Sequence, residues 1–139
     1  MKRNWIGVVL LVLAATALLS LSSCGHNQHL ISIAVTPQGT TITQGPGQQV
    51  STQFTALGTY IHPPETRDIT NTAIWSTNTP DIIEVDSTTP GLIKTTGAGC
   101  GKNLGVTAEV YTDNGNTHGN VVVGASTINI SFGPNSACP

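Results

Sequence analysis

Ala73-Ile74-Trp75-Ser76-Thr77-Asn78-Thr79-Pro80-Asp81-Ile82-Ile83-Glu84-Val85-Asp86 sets two short strand-forming runs around a turn, and every neighbouring segment repeats that plan. The spacing predicts a strand from Ile69 to Thr77 centred on Trp75, then a turn at Asn78-Thr79-Pro80-Asp81, then a strand at Ile82-Ile83-Glu84-Val85. Downstream, Thr89-Pro90-Gly91 turns the chain into Leu92-Ile93, and Gly97 to Gly101 is a glycine-rich loop holding Cys100. Leu104 to Thr112 alternates at period two. Asp113-Asn114-Gly115-Asn116 tolerates positive φ and predicts a hairpin into a last strand, Asn120 to Phe132, with Gly124 expected at a bulge.

Upstream the same period holds. Ile31, Ile33 and Val35 are expected on one face of a first strand that Pro37 ends, because proline cannot donate to a ladder. After the turn residues Gln44-Gly45-Pro46-Gly47, Val50, Thr52, Phe54 and Ala56 are expected on one face, with Ser51, Gln53, Thr55 and Leu57 on the other. His62-Pro63-Pro64-Glu65-Thr66 reads as extended loop, since each proline disfavours helix for the residue before it. No window from Leu30 onward keeps a 3.6-residue apolar period. About seven or eight short strands separated by turn signals predict an all-β antiparallel sandwich.

Composition agrees. Charged residues are only 9% of the 139, aromatics 4%, and there are 15 glycines and 8 prolines. That is too little charge for the surface of a helical bundle and suits strands joined by polar turns.

The first 23 residues form a separate unit. Lys2 and Arg3 precede an apolar run from Trp5 to Leu19 that ends in Leu21-Ser22-Ser23-Cys24, the order of a secretory signal. About 15 apolar residues fall short of the roughly 20 that a permanent membrane helix needs. Leu21-Ser22-Ser23-Cys24 resembles the bacterial lipobox. The resemblance implies cleavage before Cys24, a diacylglycerol thioether on its sulfur and acylation of its new amine. An ordinary leader cut elsewhere, with Cys24 a thiol, is the competing reading.

Two or three acyl chains would hold the protein firmly on a membrane, at about 0.8 kcal/mol per buried CH₂. Gly25, in place of the Asp that retains lipoproteins in the inner membrane of well-studied Gram-negative bacteria, leans towards the outer membrane. The chain then divides into a signal peptide, 1–23, a lipidated tether, 24–29, and one domain, 30–139. Of the 116 residues after position 23, Arg67, Lys94 and Lys102 stand against seven carboxylates, a formal charge of −4. Such a surface has no basic stripe for nucleic acid.

Ile31 to Pro37, Gly45 and the Ala73–Asp86 stretch together resemble the bacterial immunoglobulin-like domain of group 2. Gly91-Leu92-Ile93, Gly97-Ala98-Gly99 and Val106-Thr107-Ala108 fill the later places of that pattern, so the resemblance covers Ile31 to Ile130. Cys100 to Leu104 is a few residues longer than the pattern, and the Thr59–Arg67 loop carries an extra Pro-Pro. The resemblance implies an immunoglobulin-like sandwich. It also implies membership of a group common in surface adhesins and as accessory modules of secreted enzymes, with no catalytic residue set.

The candidate core comprises Trp75, Phe54, Ile33 and Val35, with Trp75 expected between the sheets. With Cys24 lipidated, Cys100 and Cys138 are an even pair in an oxidising compartment, and a disulfide between them, within one chain or between chains, is the economical outcome. No catalytic residue, cofactor or metal is expected. Neither cysteine lies in a Cys-x-x-Cys, and His26 and His29 sit on a tether without helix signals. His62 and His118 fall in loops, while Asp81, Asp86 and Asp113-Asn114 suit turn chemistry better than calcium. Nucleophile-elbow, zinc-protease and phosphate-loop motifs are all missing from the sequence. The expected role is a non-enzymatic, lipid-anchored envelope module that binds another envelope protein or glycan. The alternative is a structural subunit or spacer that assembles with other chains through strand edges, for example in a filament or sheath, with a homo-oligomer among the partners considered.

Overall fold

The computed structural model describes residues 28–112 and 119–133, and among them every regular element is a β-strand. The strands are β1 (His29–Thr36), β2 (Thr40–Thr43), β3 (Ser51–Gln53), β4 (Thr55–Ile61) and β5 (Glu65–Asp68) in the first half. The second half holds β6 (Ile74–Thr77), β7 (Ile83–Val85), β8 (Leu92–Thr95), β9 (Gly101–Thr112) and β10 (Asn120–Ser131). One sheet runs β2-β10-β9-β6, a second β1-β4-β5 and a third β3-β8-β7. All pairs are antiparallel except β2 with β10. The protein is an all-β sandwich, as its period-two pattern requires.

The strand expected around Phe54 is divided between two sheets. Ser51–Gln53 pairs with β8 and Thr55–Ile61 pairs with β1. Phe54 lies at the switch, its N–H donating to the Gly91 carbonyl at 2.8 Å. Gly91 has φ +76°, and a Cβ there would lie 2.4 Å from the Phe54 carbonyl oxygen, so only glycine allows this approach. The expected inward set Val50, Thr52, Phe54 and Ala56 is partly or fully buried, and Leu57 faces out.

Several expectations need correction. Ile31 does not share a face with Ile33 and Val35. A register shift between Leu30 and Ser32 makes Ile31 the extra residue of a bulge, so Leu30 and Ile33 point inward while Ile31 is 52% exposed. Ile69 to Thr77 is not one strand. Ile69–Ala73 closes a helical turn, with the Thr72 and Ala73 amides donating to the Ile69 carbonyl, and only Ile74–Thr77 pairs with β9. The His62–Thr66 segment is not an extended loop: His62 to Pro64 is a tight turn with a cis bond at His62–Pro63, and Glu65 and Thr66 already belong to β5. β10 carries no register shift at Gly124. A Cβ there would lie 2.6 Å from the Ile33 carbonyl oxygen, so the glycine serves the close passage of β1 over β10.

Side chains from all three sheets meet in one core: Phe54, Val35, Ile83, Ile93, Val106, Ile128 and Ile130 are each 0–1% exposed. Ile33 belongs to it too. Trp75 is only partly buried, packing against the rim of the core with its indole N–H donating to the Thr70 carbonyl at 2.9 Å. Phe54, not Trp75, is the aromatic at the centre.

Candidate functional site

The sites read from sequence fall mostly at the chain ends. Cys24 and Cys138 lie outside the described residues, as do His26, Asp113, Asn114 and His118. The surroundings of Cys100 are described. It is half-buried against the core, one residue before β9, and Gly101 pairs with Ile130 near the end of β10. Gln44 ties the two together: its backbone N–H donates to the Ser131 carbonyl at 2.9 Å and its side-chain amide to the Gly99 carbonyl at 3.1 Å. The Cys100 loop and the root of the C-terminal segment are therefore neighbours.

Two carboxylates near turns, Asp86 and Asp68, are engaged by their own chain. The Asp86 carboxylate pairs with Lys94 and accepts the Thr88 hydroxyl and the Thr88 and Thr89 amides, which closes the turn before β8. Those partners, Lys94 first, hold its carboxyl well below the usual range. Asp68 accepts the Thr70 amide at 2.9 Å. Glu65 takes both prongs of Arg67 at 2.7 Å and the Gln28 amide at 3.0 Å, which lowers its pKa to about 2. The Arg67 guanidinium also lies 5.2 Å from the centre of the Tyr60 ring. Among the described residues no three His, Cys, Asp or Glu side chains gather as a metal site, and no helix is long and apolar enough to cross a membrane.

The surface offers two distinct features. Strand β5, at one sheet edge, is charged along its length with Glu65, Arg67 and Asp68, which discourages pairing with another chain. Strand β6, at the edge of the four-stranded sheet, reads Ile74-Trp75-Ser76-Thr77 and carries no charge. The outward face of that same sheet exposes Ile74, Tyr111, Val121 and Val123, with Tyr111 63% accessible. Sequence reading passed over this face. Its signal was the unbroken Val121-Val122-Val123 run, which puts apolar side chains on both sides of one strand.

No family model and no curated protein matches the chain. What fold and surface define together is a mainly antiparallel sandwich in which Asp68 and Asp86 serve turns and one sheet carries an exposed apolar row.

Proposed function

We propose that this chain is a lipid-anchored, non-enzymatic module of a bacterial envelope, most at home on the outer membrane, whose immunoglobulin-like sandwich binds another envelope protein or glycan. The carrying observation is Leu21-Ser22-Ser23-Cys24 after a short apolar run, placed four residues before the first described residue, Gln28. A tether that short keeps the domain against its membrane and favours partners in the same envelope.

The fold supports a binding module by giving it a rigid core and two exposed sheet faces. The Asp68 and Asp86 carboxylates close turns, and the Gln44 amide ties the Gly99 loop to its own segment. A Cys100–Cys138 disulfide belongs to this reading. It is supported by the disulfide state of the Cys100 sulfur and by the Gln44 link between its loop and Ser131, seven residues before Cys138. Seven residues reach roughly 25 Å at most, enough to return to that loop.

One observation favours a second reading, a structural subunit. The uncharged edge strand β6 is open to strand addition where β5 is guarded. The size of the protein extracted from its native membrane separates the two. A discrete complex with a different envelope component supports the binding module; a ladder of self-assembled particles selects the subunit.

A further inference from the structure

The outward row on the four-stranded sheet is continuous. Tyr111 pairs with Val121 across β9 and β10, and Glu109 pairs with Val123 on one side and Ile74 on the other. Alternation puts these five side chains on one face, while Val110, Ala108, Val122, Gly124 and Trp75 turn towards the core. Ile74, Tyr111, Val121 and Val123 are 44–63% exposed. They cluster where β9 ends and where β10 and β6 begin.

The start of β1 lies at that same end. The Ile33 carbonyl approaches Gly124, the Gln38 side-chain amide donates to the Ala125 carbonyl, and the Ser126 hydroxyl donates to the Pro37 carbonyl. β1 and β10 therefore run in the same general sense, with β1 crossing the inward side of β10, so that β1 begins towards the end of the sheet where β10 begins. Gln28 follows Cys24 by four residues, which span at most about 14 Å.

We infer that this face, at the end carrying Ile74, Tyr111, Val121 and Val123, rests on the headgroup layer of the bilayer that holds Cys24. The inference rests on the lipid-anchored reading of Cys24. Tyrosine suits a boundary where one side is apolar and the other wet, and branched aliphatic side chains supply shallow apolar contact. Glu109 in the middle of the row selects the occupant. A hydrated headgroup layer accommodates a carboxylate, whereas the identical row of a second copy would bury Glu109 without offering it a cation. With no cation in the row, zwitterionic lipid is the fitting surface.

The test uses the full acylated protein in vesicles of phosphatidylcholine and phosphatidylethanolamine, with and without bromine on the acyl chains. Val121→Trp places a probe on the face, and Leu57→Trp places one on an exposed position of the opposite sheet. Trp75 is common to both. Val123→Trp replaces Val121→Trp if the latter loses the wild-type β-sheet spectrum. Bromine is expected to quench the Val121→Trp signal at least about twofold more than that of Leu57→Trp. Equal quenching in protein that carries acyl mass and floats with vesicles overturns the inference and leaves anchoring intact. A shielded, blue-shifted probe without bromine quenching means a protein occupant and also overturns it. Protein without acyl mass that fails to float removes the anchoring reading and this inference together.

Discussion

Replacing Phe54 with alanine is expected to cost about 3–5 kcal/mol, more than the same replacement of Trp75. Phe54 is 0% exposed and lies where the chain passes from the β3-β8-β7 sheet to the β1-β4-β5 sheet. A phenylalanine side chain withdraws roughly 150–200 Å² from water, and at about 25 cal/mol per Å² that approaches 4–5 kcal/mol before the methyl of alanine is credited. Measured losses for such truncations are about 3–5 kcal/mol. Trp75 is only partly buried, so about half of a larger ring's area is at stake and the expected loss is about 2–3 kcal/mol. Urea unfolding followed by circular dichroism measures both, and Trp75 fluorescence gives a second readout for Phe54→Ala. With a slope of about 1–3 kcal/mol/M, Phe54→Ala should move the midpoint by at least about 1 M without changing the slope. The whole domain has about 5–15 kcal/mol to lose, so partial unfolding in water is an admissible form of the same result. A Trp75→Ala loss larger than that of Phe54→Ala, or a Phe54→Ala loss under about 1 kcal/mol, would refute the placement of the core.

Gly124→Ala should destabilise by at least about 1 kcal/mol, since its Cβ would lie 2.6 Å from the Ile33 carbonyl oxygen; Gly119→Ala, whose nearest neighbour is 3.7 Å away, should be close to neutral in the same melts. The carboxyls of Asp86 and Glu65 are depressed from ordinary values of 3.8 and 4.5, so their stabilisation is present above about pH 5 and is lost as pH falls towards 2 and below. Thermal melts across that range should show the loss, and Asp86→Asn should flatten it; an unchanged pH profile in the variant would contradict the assignment. Cys138→Ser should lower the melting temperature and leave the β-sheet spectrum intact, because the proposed Cys100–Cys138 bond would enclose 37 residues and be worth about 3–4 kcal/mol on loop entropy. Non-reducing mass analysis that finds Cys100 and Cys138 both as thiols would remove that pairing.

Much of the fold was legible because one face of each strand is buried, which forces alternation. Val106 and Ala108 on β9, and Ile128 and Ile130 on β10, show their burial directly in sequence. What failed to show has specific causes. The Leu30–Ser32 bulge adds one residue and flips Ile31, and a period-two count cannot see such an insertion. Phe54 changes sheets without leaving extended backbone, so two strands read as one. Thr40–Thr43 and Glu65–Asp68 bury at most one side chain each, and their pairing depends on partners distant in sequence. Ring size and period-two neighbours point to Trp75 as the centre of the core, whereas its indole N–H needs an acceptor and finds the Thr70 carbonyl at the rim. The exposed row around Tyr111 emerged only when register brought β6, β9 and β10 together.

The most direct measurement of anchoring is the intact mass of the mature protein purified from its own membrane, paired with detergent phase partitioning of wild type and Cys24→Ala. A chain that begins at Cys24, carries two or three acyl groups and enters the detergent phase, while Cys24→Ala remains uncut or is released in soluble form, is the expected result. A mature wild-type chain without acyl mass, recovered from the aqueous phase, would contradict it.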